Sequence, residues 1–159
     1  RDLRMSRGLG DVYKRQHCDD VEYGLRCGKK PIIIEGVQVW HETYDKRMTP
    51  LMQYYDTRNP LFVNQLYGFL PEPLQLLRQW KDKMTTFHVK GDWLSEYYVI
   101  LAMNDFLKGM GWLKRIDAGK YHKKLQKAKS CKVKNAICWR LVEHRAKKKF
   151  MVHKNNCSG

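Results

Sequence analysis

The sequence predicts a mainly α-helical domain with one short β element. Three observations carry this. Apolar and aromatic residues recur at helical spacing between residues 50 and 108. The breaks between those segments carry helix-capping chemistry. One β-branched run, Ile32-Ile33-Ile34, stands apart from them. With 159 residues, 43% hydrophobic and 12% aromatic, the chain can bury a core and is not globally disordered.

The first sixteen residues, RDLRMSRGLGDVYKRQ, show neither helical nor strand periodicity. They resemble the in-frame translation of sequencing-adapter read-through, and 1–16 is read as an artefactual or disordered arm. On that reading the natural chain starts at His17, directly before an acidic stretch, and is a truncated gene product. The body is then 17–113, followed by a basic tail, 114–159.

Asp19 to Cys27 reads as a helix. Asp19 serves as N-cap and Glu22 as its capping-box partner. Gly28 is a left-handed stop. Residues 31–41 form a bent strand or tight hairpin that delivers Trp40 and His41 at its end. Thr49-Pro50 opens the next helix, with Thr49 as N-cap and Pro50 at the first position. Pro60 is expected to end or kink it, because Asn59 is pushed away from helical dihedrals. Pro71-Glu72-Pro73 opens another helix, with Leu74, Leu77, Trp80 and Met84 at near-helical spacing. Asp92 caps a helix over 93–108 that is apolar almost all round, the expected buried centre. Gly109 and Gly111 close it. Beyond Lys114, one or two amphipathic basic helices follow.

Charge is unevenly placed. Residues 114–159 hold 15 Lys/Arg against Asp117 and Glu143, a balance of +13, while 17–113 stand at −1. Such a tail favours polyanions, either nucleic acid or an anionic membrane face. For nucleic acid, Tyr121, Trp139 and Phe150 would be the interleaved aromatics. The longest apolar run, Tyr97 to Met103, falls far short of the roughly 18 residues a membrane span needs. Five cysteines at irregular spacing make no disulfide framework and read as reduced thiols of a cytoplasmic protein. Cys131 and Cys138 are too widely spaced for half a zinc site.

The chemistry-bearing residues gather at HCDDVEYGLR, 17–26, and WHETY, 40–44. Asp19, Asp20 and Glu22 are either a cap with a solvated neighbour or a catalytic group. In the second case Asp20, at the mouth of the helix, is a free carboxylate that accepts a proton from an attacking hydroxyl. His41 is either a packed surface histidine or a ligand of a divalent ion such as Mn or Mg; one nitrogen is not a site, so further oxygen ligands are needed. Trp40, Tyr44, Tyr54 and Tyr55 are sugar-stacking platforms or core aromatics. Arg58 holds a phosphate, or is structural and pairs with Asp56 or Glu42.

DDVEYGLR, then VWHETYDKR about twenty residues on, then YYDTRN and MNDFLKGMGWL, resemble the C-terminal half of family-2 glycosyltransferases of the GT-A fold. The likeness is to the bacterial galactofuranosyl- and rhamnosyl-transferase type, and covers about 17–120. The resemblance implies an α/β parent fold and an inverting sugar transfer in cell-envelope or polysaccharide synthesis. Asp20 would be the general base, with Asp19 and Glu22 beside it. His41 would bind the divalent metal, and Trp40 and Tyr44 would face the acceptor. It implies a nucleotide-sugar donor, a glycan or lipid-linked acceptor, and a location at the inner face of the plasma membrane. The chain departs from the family in having no Asp-x-Asp and no glycine-rich phosphate loop. The expectation is therefore an acceptor-and-base half, inactive alone, whose nucleotide-binding half and remaining metal ligands lie elsewhere.

Overall fold

The computed structural model describes residues 19–28 and 48–156, with side chains described for 22–28 and 48–150. Seven α-helices are described: α1 (Asp19–Cys27), α2 (Pro50–Tyr67), α3 (Pro73–Val89), α4 (Trp93–Lys108), α5 (Met110–Arg115), α6 (Ala118–Gln126) and α7 (Lys132–Asn156). Among the described residues there is no strand. The β element expected at 31–41 lies outside them, as do Trp40, His41, Tyr44 and the arm 1–16. No described helix is long and apolar enough to cross a membrane.

The centre is α4, packed against α2, α3, α5 and α7. Its start follows from Asp92, whose side chain accepts from the Ser95 N–H at 3.0 Å, satisfying a donor that the first turn cannot. Val99, Ile100, Met103 and Phe106 of α4 form the main core with Phe62 of α2, Leu76 and Trp80 of α3, Leu113 of α5, and Val142 and Ala146 of α7. Phe106 meets Phe62 and Trp80 edge-on, at 5.3 and 6.0 Å between ring centroids, the favoured geometry for aromatic quadrupoles. The basic segment is therefore not an appendage: α7 closes one side of this core.

Three local expectations are corrected. First, of the two outcomes expected at Pro60, an end or a kink, the end does not occur: α2 runs through Pro60 to Tyr67. Pro60 removes one backbone donor, at a cost of roughly 3 kcal/mol inside a helix. The residues directly after it, Leu61, Phe62 and Val63, are all buried, each contributing roughly 1.5–3 kcal/mol. Tertiary burial on both sides of the proline outweighs the lost bond. Second, Leu74 is exposed, and the buried stripe of α3 runs from Leu76 to Trp80, with Leu77, Met84 and Phe87 half-buried beside it. Third, Gly111 does not close α4; it lies inside α5.

Gly109 alone makes that break. It sits at φ 85°, ψ 177°, a region open essentially only to glycine. A Cβ there would meet nothing closer than Lys149 Nζ at 3.9 Å, so substitution strains the backbone rather than the packing. Gly109→Ala is expected to destabilise the protein by about 1–3 kcal/mol. Gly111→Ala, helical and in open space, is expected to be neutral or stabilising by about 0.5–1 kcal/mol. Urea denaturation of both variants checks the contrast.

Candidate active site

The acidic stretch forms α1, nine residues that begin at Asp19. Asp19 and Asp20 thus occupy its first turn, where unbonded N–H groups and the helix dipole favour negative charge. Asp19 lies within the helix rather than ahead of it as the expected N-cap would. Gly28 ends the helix in the left-handed conformation, φ 60°, as the sequence leads one to expect. Glu22 is turned to tertiary work: its Oε1 accepts from Tyr67 Oη at 3.4 Å, and its Oε2 pairs with Arg26 at 3.3 Å. The Tyr67 bond ties α1 to the C-terminal end of α2, while the Arg26 pair lies within α1. Burial, and then the Glu22 charge, raise the Tyr67 phenol above its ordinary value.

The YYDTRN segment lies on α2, and its tyrosines are not platforms on a surface. Tyr54 is fully buried and Tyr55 nearly so. Tyr54 Oη donates to Asp105 Oδ2 at 2.8 Å, and Tyr121 Oη of α6 donates to the same oxygen. Lys108 Nζ reaches Asp105 Oδ1 at 2.6 Å. Arg58 Nη1 donates to Tyr54 Oη at 3.0 Å, and Arg58 Nε and Nη2 donate to Asn59 Oδ1 at 3.1 and 3.0 Å. The Arg58 guanidinium lies 4.9 and 5.1 Å from the Tyr54 and Tyr55 ring centroids, a cation–π arrangement. Tyr55 Oη bonds His122 Nδ1 at 2.6 Å, and Tyr98 Oη donates to the Leu125 carbonyl at 2.6 Å. One buried polar knot thus joins α2, α4 and α6. Arg58, at 3% exposure, is built into it through its bonds to Tyr54 and Asn59.

Asp105 is fully buried, and composition alone does not single it out. The available signal was its place inside an otherwise apolar helix, since a buried carboxylate must find donors. A second such group is Glu96, also buried. It meets His88 Nδ1 at 2.9 Å and accepts from Asn135 Nδ2 at 2.7 Å. Asn135 also donates to the Trp93 carbonyl at 2.8 Å. This second knot fastens the start of α7 to the start of α4.

Burial is the main cause that pushes the Tyr54 and Tyr121 phenols far above their ordinary value of 10.0, with the Asp105 charge adding to it. The direction fixes the pH dependence. Both phenols stay protonated in the folded protein while their unfolded counterparts ionise near pH 10. Their stabilising contribution is complete below pH 10 and is lost as pH rises above it. Stability is therefore expected to be flat in these groups near neutrality and to fall steeply above pH 10. In a titration followed by tyrosinate absorbance, Tyr54 and Tyr121 should ionise only together with unfolding.

Two of the four stretches that carry the family resemblance are bonded to each other, and a third reaches the far end of the same helix, α2. Glu22 of the acidic stretch bonds Tyr67 at the end of the YYDTRN helix, and Tyr54 of YYDTRN bonds Asp105 of MNDFLKG. The fourth, with Trp40, His41 and Tyr44, lies outside the described residues. Among the described residues, no group of three His, Cys, Asp or Glu side chains converges as metal ligands would. A groove of about 160 Å³ between α4 and α7, lined by Tyr97, Leu101, Asn104, Leu141 and Arg145 among others, is smaller than the roughly 300–1,000 Å³ of ligand pockets. It includes no residue of the acidic stretch. No protein-family model, no curated protein and no solved structure matches the chain.

Proposed function

We propose that the chain is the acceptor-and-base half of an inverting family-2 glycosyltransferase with a GT-A parent fold. Its donor would be a nucleotide sugar and its acceptor a cell-envelope or polysaccharide glycan, free or lipid-linked, at the cytoplasmic face of the plasma membrane. The observation that supports this best is the convergence around α2. YYDTRN and MNDFLKG, which resemble separate motifs of one enzyme family, are joined by the Tyr54–Asp105 bond, and Glu22 of the acidic stretch bonds the same helix at Tyr67, beyond YYDTRN. The polar knot would act as scaffold, fixing α2 so that α1 is presented from its C-terminal end.

On this reading Asp20 is the general base. The acceptor hydroxyl gives its proton to the Asp20 carboxylate as its oxygen attacks the anomeric carbon, and the diphosphate leaves from the opposite side. The configuration inverts in that single displacement. A carboxylate in the first turn of a helix is favoured in its ionised form, the form that accepts a proton. Trp40 and Tyr44 would line the acceptor side, with Asp19 and Glu22 shaping the turn. A divalent ion would neutralise the leaving diphosphate, and His41 would be one of its ligands. The other ligands and the nucleotide pocket are assigned to sequence outside these 159 residues, since the chain holds no Asp-x-Asp.

The 159-residue chain alone is then expected not to bind a UDP- or dTDP-sugar tightly. Calorimetry in the presence of Mn²⁺ tests this division; micromolar, metal-dependent binding would contradict it. A nucleic-acid-binding reading is less well supported. Trp139 and Phe150 pack on the main core and Tyr121 is tied into the polar knot, which leaves few aromatic faces for bases to stack on.

A further inference from the structure

The outer face of α7 combines two properties that its inner face does not need. The inner face buries Asn135, Val142 and Ala146 and packs Cys138, Trp139 and Phe150 on the core. The core thus uses one side of the helix. On the other side, Val133, Ile137 and Leu141 stand one turn apart and are 68%, 55% and 54% exposed. Single exposed aliphatics are ordinary, but three in register make a stripe along a helix. Lys134, Arg140, His144, Arg145 and Lys148 surround this stripe and are all exposed. Between Lys132 and Phe150 the helix holds one acid, Glu143, and it is paired with Lys147 at 2.8 Å.

We infer that this face is a docking surface for an anionic lipid bilayer, with α7 lying in the plane of the interface. The cations would meet the lipid phosphates while Val133, Ile137 and Leu141 enter the acyl boundary. Both halves of the pattern are needed. Lysines alone would serve any polyanion, whereas aliphatic side chains gain nothing from a nucleic-acid backbone and gain from leaving water for hydrocarbon. The helix is already held rigid by the core and by the Glu96–Asn135 bond, so no folding is required on contact. The inference does not rest on the transferase reading and would hold for a chain without catalysis.

The test is vesicle flotation of the full chain at fixed salt, with phosphatidylglycerol-containing and pure phosphatidylcholine vesicles. Duplex DNA binding is measured in parallel. The parent is expected to float with the anionic vesicles and not with the neutral ones. Ile137→Gln with Leu141→Gln should weaken vesicle binding at least about tenfold and leave DNA binding unchanged. Arg140→Glu with Lys148→Glu should weaken it about fivefold or more for each residue changed. All four positions are exposed, so melting temperatures should match the parent. Absence of flotation by the parent would overturn the inference. So would undiminished flotation of the glutamine variant, or a parallel loss of vesicle and DNA binding in it.

Discussion

Replacing Asp105 by alanine is expected to destabilise the protein by about 3–5 kcal/mol, more than any other single polar substitution considered. The carboxylate is completely buried and receives donors from Tyr54, Tyr121 and Lys108. Lys108 is 39% exposed at its side chain and can turn to water. The two phenols have less recourse, and a buried donor left without its acceptor costs about 1–3 kcal/mol. The site also loses the negative charge that faces the buried Arg58 through Tyr54. For a chain of this size the loss corresponds to a fall in melting temperature on the order of 10 °C. Asp105→Asn keeps an acceptor oxygen and should cost less. A double-mutant cycle with Tyr54→Phe separates the pair term from the rest. An alanine variant as stable as the parent would mean that the knot does not hold α2, α4 and α6 together.

Much of the helical frame was legible in the sequence because its boundaries are set by local chemistry. Asp92 caps α4, Pro50 and Pro73 occupy first positions, and Gly28 stops α1, each where the residue type demands it. What was not legible depends on partners far away in sequence. Pro60 is a breaker by every local rule, yet it sits inside α2 because burial around it decides. Leu74 fits the periodic pattern of α3 but faces water, because the neighbouring α4 is approached by Leu76 and Trp80 instead. The apolar residues of α7 suggest one amphipathic face; they divide between two, and only the packing of Val142 and Ala146 on the core tells which is inner.

The candidate site was legible in a different sense. Residue types and order single out Asp20, but nothing local distinguishes a helix-capping carboxylate from a base. Tyr54, Tyr55 and Arg58 look like ligand-binding residues in sequence, since aromatic and guanidinium groups serve stacking and phosphate binding well. All three are buried, with Tyr54 bonded to Asp105, Arg58 to Tyr54 and Tyr55 to His122. Asp105 lies 51 positions from Tyr54, and no spacing rule connects the two.

The second large effect is on rate. Asp20→Asn preserves shape, and asparagine is acceptable at a helix start, so folding should change by no more than about 1 kcal/mol. It removes the only group proposed to take the acceptor proton, which should lower kcat by about 10²–10⁴. The decisive measurement is sugar transfer from UDP- and dTDP-linked donors to glycan acceptors by the protein expressed from its full reading frame, wild type beside Asp20→Asn. A base at Asp20 predicts acceptor-dependent transfer with inversion in the wild type. In the variant it predicts a loss of at least about a hundredfold, with donor affinity and melting temperature retained. Transfer at the wild-type rate by Asp20→Asn, or no transfer by the wild type to any acceptor, would contradict it.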